Sequence, residues 1–158
     1  MEITYSGLLA PKIEGDKLRA RIFDLQEQML SGPQVQCEIK NIFGPGVMLR
    51  EMTIPAGVVV VGAEHKSRHL NIISKGRIVV WTEGGMKELS APCTFESMPG
   101  TKRAGYALEE TVWTTIHENP DNETDIAVLC ERYTTSKHTE LMEYRAAIEN
   151  REAVCLGE

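Results

Sequence analysis

The sequence predicts a mainly β chain, an antiparallel barrel or sandwich with one helix ahead of it and helices behind it. Three observations predict this. Between Val35 and His117, short runs rich in Val, Ile, Thr and aromatic residues alternate with Gly and Pro, the texture of strands joined by tight turns. No helical pattern interrupts that stretch, so the strands lack the crossover helices that parallel pairing needs. On both sides of it, apolar residues recur at helical spacing.

Taken in order, residues 1–15 form an irregular lead containing Pro11 and Gly15. Residues 16–30 predict a helix. Leu18, Ile22, Leu25 and Met29 make one apolar stripe, Asp16 is placed to cap the start, and Gly32-Pro33 ends it. Such a helix lies on a barrel or on a partner. Strands follow at 35–43, 46–54, 57–63, 69–74, 76–82, 86–90, 92–97, 102–108 and 111–117. Thr82-Glu83-Gly84-Gly85 marks a hairpin between two of them. After Asn119-Pro120-Asp121-Asn122 the pattern turns helical again, at 124–132 and at 137–150. The organisation is thus a lead and amphipathic helix (1–34), a β-barrel (35–119) and a helical tail (120–158), all within one domain.

The 158 residues suit a single domain. A net charge of −6 argues against nucleic acid, which needs a cationic face. Cys37, Cys93, Cys130 and Cys155 have no paired spacing, so they read as free thiols of a reducing compartment and not as a zinc knot. The first residues lack a basic stretch followed by an apolar run, and no apolar run approaches a membrane span. A cytoplasmic protein without a secretory leader is the expectation. The chain contains no GxSxG, HExxH, P-loop or GxGxxG pattern.

The centre of the chain carries a spaced motif. In Gly57-Val-Val-Val-Val-Gly-Ala63-Glu-His65-Lys-Ser-Arg-His69-Leu-Asn-Ile-Ile-Ser-Lys-Gly76, the positions of Gly57, His65 and Gly76 resemble the first motif of the cupin superfamily. Ser97-Met98-Pro99-Gly100-Thr101-Lys102-Arg103 resembles the centre of the second, with Gly100 in register and Pro99 one place off. The wording from Pro99 to His117 is also similar to small cupin-like proteins encoded by tailed bacteriophages. The resemblance spans residues 46 to 117 and implies a cupin-like antiparallel β-barrel. It also implies a homodimer, and the amphipathic helix at 16–30 gives a second reason for one.

In metal cupins the resemblance implies three His and one Glu aimed into the barrel. Those positions here read Ala63, His65, His69 and Arg103. Two imidazoles are a poor metal site, and a guanidinium cannot ligate. The same groups suit an anion. Arg103 offers a planar fork for carboxylate or phosphate, while His65 and His69 donate hydrogen bonds and carry charge when an anion lies between them. The expected ligand-binding set is His65, His69, Arg103, Asn71, Tyr106 and Trp113. Asn71 shares the face of His69, Tyr106 offers a hydroxyl, and Trp113 walls the interior. No cofactor is expected, with one exception. His117, alternating with Trp113 and Thr115 on one strand face, would complete a divalent-metal site with His65 and His69, and Glu51 is the other candidate third ligand.

Blander readings stand beside these. His65 also fits a solvated strand end, His69 a satisfied interior histidine, and Lys102-Arg103 a basic turn facing water. Three functions follow. The first is a small-molecule-binding barrel with a degenerate metal site and an acidic ligand. The second is a structural or accessory phage protein. The third is a metal-dependent cupin enzyme such as a dioxygenase, isomerase or lyase.

Overall fold

The computed structural model describes residues 15–135. Helix α1 spans Gly15–Leu30, and its stripe of Leu18, Ile22, Leu25 and Met29 is the buried or half-buried side. It starts at Gly15, one residue ahead of the expected cap Asp16. Gly32 closes it by donating from its backbone N–H to the Met29 carbonyl at 3.1 Å.

The strands are β1 (Glu38–Gly44), β2 (Gly46–Ile54), β3 (Val59–Val61), β4 (Glu64–His65), β5 (His69–Lys75), β6 (Arg77–Thr82), β7 (Gly85–Ser90), β8 (Cys93–Ser97), β9 (Ala104–Ala107) and β10 (Thr111–Asn119). Helix α2 (Ile126–Tyr133) and a short β11 (Thr134–Thr135) follow. Asp125 caps α2, its carboxylate accepting from the N–H groups of Ala127 at 2.9 Å and Val128 at 3.4 Å. The expected helix at 137–150, the leader residues before Gly15 and Cys155 lie outside the described residues. Cys37, Cys93 and Cys130 are free, as expected. No described helix is long and apolar enough to cross a membrane.

One sheet runs β1-β2-β10-β5-β8, a second runs β3-β9-β6-β7, and β11 pairs with β4 alone. All the pairings are antiparallel. The predicted hairpin is present, with Thr82 paired to Gly85. The two large sheets share one core. Ile54 and Ile73 from the first meet Ile78, Val80, Leu89 and Ala107 from the second. A smaller cluster of Met48, Leu129 and Tyr133 fastens α2 to the other end of β2.

The interior residues fall in layers, because side chains on one strand face repeat every second residue. Pairing of β2 with β10 matches Met48 to His117, Arg50 to Thr115, Met52 to Trp113 and Ile54 to Thr111. Pairing of β10 with β5 matches Thr115 to Asn71 and Trp113 to Ile73. The interior therefore grades from an apolar end at Ile54 and Ile73 to a polar end at Asn71, Arg50 and His117.

Two motif glycines explain themselves in the backbone. Gly57 and Gly76 have φ of +79° and +83°, the left-handed region that residues with a Cβ avoid. At Gly76, between β5 and β6, a Cβ would also come within 2.2 Å of the Glu110 carbonyl oxygen.

Candidate functional site

The barrel encloses a cavity of about 820 Å³ with walls from both large sheets, the end of α1 and α2. His65, His69, Asn71, Arg103, Trp113 and His117 all line it. Tyr106 does not. On β9 it alternates with Gly105, which is the residue that faces the cavity, so its half-buried ring turns the other way.

The three histidines arrive by different routes. His117 sits on β10 beside the start of β5, where His69 stands. His65 reaches them from β4 across a break at residues 66–68, not along one straight strand. Short β11 holds β4 in place, pairing Thr134 with His65, and the Lys66 N–H donates to the Tyr133 carbonyl at 2.7 Å. Ring centroids lie 4.2 Å apart for His65 and His69, 5.0 Å for His65 and His117, and 5.2 Å for His69 and His117. One potential ligand nitrogen from each lies within 4.8 Å of the others. Glu51, the other candidate third ligand, points away and lies 3.8 Å from the Lys40 ammonium.

All three imidazoles are held neutral. Burial pushes the pKa of His65 down to about 3, with His69, His117, Arg103 and Arg50 adding positive neighbours. Burial pushes His117 down to about 4, with His69 and Arg50 adding to the effect. His69 is lowered too, chiefly by burial, against the opposing pull of its hydrogen bond to the Ser67 carbonyl. This changes the expected role. His65 and His117, this far below neutrality, serve poorly as general acids or bases near pH 7. They also do not grip an anion as cations in the unliganded state. They do keep their lone pairs.

A divalent metal fits what these residues offer. The Nδ1 atoms of His65 and His117 are buried without a hydrogen-bond partner. His69 Nδ1 sits 3.1 Å from the Ser67 carbonyl oxygen. As an N–H donor there, it leaves Nε2 free, the arrangement usual for a ligating histidine.

Positive charge surrounds this cluster. Arg103 is not in a turn facing water. Its guanidinium lies 5.4 Å from the Phe95 ring centroid and the side chain lines the cavity. Burial lowers its pKa, with Glu83 opposing. Arg50, the inward member of the Arg50-Glu51 pair, also lines the cavity and lies within 3.3 Å of the Asn41 side-chain oxygen. No Asp or Glu lines the cavity among the described residues.

Asn71 is 1% exposed and fully engaged. Its amide donates to Ser97 Oγ at 2.7 Å, and its oxygen accepts from Trp113 Nε1 at 3.0 Å. Trp113 also meets Phe95 edge-on, with centroids 5.6 Å apart. Asn71 therefore orients a wall of the cavity. Two cavity residues escaped the sequence reading. Tyr133 stacks on His117 at 4.1 Å and 9°, and its hydroxyl donates to the Glu118 carbonyl at 2.8 Å. Arg50 is adjacent to Glu51 on β2, so strand alternation turns one of the two charges inward, and here it is Arg50.

No family model matches the sequence, and no curated protein matches it. Solved structures do match in shape. Ectoine synthase from P. lautus superposes with a TM-score of 0.50 at 15% identity, over 66% of this chain and 78% of that one. KdgF from Halomonas sp. gives 0.47 at 18% identity over 59% and 86%. A cupin-2 domain containing protein from Shewanella frigidimarina gives 0.44 at 11% identity over 65% and 99%. At these identities the likeness is one of fold: the chain is a mainly antiparallel, cupin-like β-barrel with flanking helices.

Proposed function

We propose that this barrel binds an anionic small molecule at a divalent metal held by His65, His69 and His117 and flanked by Arg50 and Arg103. One observation carries the reading. Three imidazoles whose burial favours the neutral form and two guanidiniums line one cavity whose described lining contains no carboxylate. Imidazole suits Zn²⁺, Fe²⁺, Ni²⁺ or Cu²⁺ better than it suits Mg²⁺ or Ca²⁺. Three protein ligands leave positions open for a bound molecule. When bound, the metal would supply a Lewis acid that polarises an oxygen of that molecule. The arginines offer forks that match carboxylate or phosphate. An anion lying between the metal and the arginines offsets the repulsion among them. Neutral imidazoles weaken the version in which Arg103 and the histidines hold the anion without a metal.

The test loads the purified protein with Zn²⁺, Fe²⁺ or Ni²⁺, one at a time, and counts bound ions by native mass spectrometry. One equivalent on the wild type, lost in His69→Ala, supports the metal centre. No retained ion from any of them overturns it. Arg103→Met keeps the ion, but malonate, benzoate or inorganic phosphate binds roughly 10- to 100-fold more weakly by titration calorimetry, as expected for a lost charged hydrogen bond.

A structural or accessory role, such as the phage resemblance implies, draws on a different observation. Ile39, Ile42 and Phe43 on the edge strand β1 are exposed, as is Val47 on β2. The same edge supports the homodimer proposal, because a strand edge with no described partner and apolar side chains is a template for a second copy. A cytoplasmic setting suits the free thiols.

A further inference from the structure

Three buried charged side chains, Arg19, Glu64 and Lys102, play no part in the ligand reading. They are 7%, 3% and 3% exposed. Buried charges of this kind are costly unless paired or hydrogen-bonded; here Arg19 pairs with Glu64, and Lys102 is held by neutral oxygens, across one interface between α1 and the outside of the barrel. The Arg19 guanidinium binds the Glu64 carboxylate and donates to the Gly100 carbonyl at 2.7 Å. The Lys102 ammonium binds the Gln26 side-chain oxygen and donates to the Gly62 carbonyl at 2.9 Å. Phe23 lies between them, its ring centroid 5.7 Å from Arg19 and 4.9 Å from Lys102.

The barrel residues that α1 grips are the chain neighbours of site residues. Glu64 precedes His65, and Lys102 precedes Arg103. The two stretches are also tied to each other. The Gly62 N–H donates to the Arg103 carbonyl at 3.0 Å, and the Gly100 N–H donates to the His65 carbonyl at 2.9 Å. The result is a two-segment ribbon. One face carries Glu64 and Lys102 outward to α1, and the other carries His65 and Arg103 into the cavity.

We infer that α1 is a positioning element for the site. Arg19 acts through Glu64 on His65, and Gln26 acts through Lys102 on Arg103. This rests on the reading of His65 and Arg103 as ligand groups. Neither Arg19 nor Lys102 lines the cavity among the described residues, so neither touches the bound molecule.

The test uses the full chain and does not depend on metal. Imidazole ¹H–¹⁵N signals are recorded for the metal-free wild type and for Arg19→Met. They are recorded as well for the paired variant Arg19→Met/Glu64→Gln, which removes both charges of the buried Arg19–Glu64 pair together. Leu89→Ala on β7, a core truncation away from α1 and the cavity, controls for loss of stability. The His65 resonances move in both α1 variants, return in Arg19→Lys, and stay in place in Leu89→Ala. Unmoved His65 signals in both α1 variants, or equal movement in Leu89→Ala, overturn the inference. A parallel Co²⁺ titration separates the two readings. Wild-type binding that weakens roughly 10-fold in the paired variant, the low end for residues that orient ligands from outside, supports both. No Co²⁺ binding by wild type counts against the metal centre, and the resonance shifts then decide the role of α1.

Discussion

At the scale of single residues, burial outweighs identity in setting what the histidines do. His65 and His117 remain unprotonated down to about pH 3 and 4 in the folded chain, whereas an unfolded chain takes up protons near pH 6.5. Above pH 6.5 neither state binds these protons, and the metal-free fold keeps its full stability. As pH falls from 6.5 toward 4, the unfolded state binds protons that the folded state refuses, so stability declines. Thermal unfolding of metal-free protein from pH 8 to pH 4.5 should show a melting temperature that drops through this window. Replacing His117 by Phe should flatten the drop. The sequence motif located His65, His69 and Arg103, because spacing survives in sequence. It left their charge open, because burial is a property of the assembled barrel. Lys102 shows the same limit. Beside Arg103 it reads as part of a solvated turn, yet Gln26, Phe23 and the Gly62 carbonyl arrive from distant segments to bury it.

At the scale of elements, the strands were legible and their joints less so. Alternation and turn residues mark β2, β5, β6, β7, β8 and β10 within a residue or two of their observed bounds, while β1 starts three residues later than expected. The stretch 57–63, expected as one strand, is instead a turn at Gly57 followed by the short β3. Strand β11 has no sequence signal at all. Two threonines after α2 become a strand only because β4 lies beside them. Gly76 is the joint whose constraint can be measured. A side chain there meets both a left-handed backbone and the Glu110 carbonyl, so Gly76→Ala should lose at least about 2 kcal/mol in chemical denaturation. The change should leave the helical and strand content of the surviving folded protein intact.

At the scale of the whole molecule, the two ends of the barrel divide the work. The core of Ile54, Ile73 and Ile78 closes one end of the barrel, and the other end stays polar and open to α1 and α2. On the outside, β1 is an edge with no strand on its far side among the described residues. If two copies meet there, Ile42→Glu should convert a dimer to a monomer in light scattering without lowering the melting temperature of the isolated chain. A wild type that is already monomeric at high concentration removes the dimer.

The lack of any acidic side chain among the described residues lining the cavity has a thermodynamic corollary. If a cation seats there as proposed, no carboxylate on the described cavity wall contacts it, and part of its counter-charge would come from solution. Cation and counter-ion then raise one another's affinity by the same factor, since linkage is reciprocal. On that proposal, metal occupancy measured in chloride-only buffer should fall below the occupancy measured with a carboxylate such as malonate present. Exhaustive dialysis should strip the ion far faster than dialysis with malonate present.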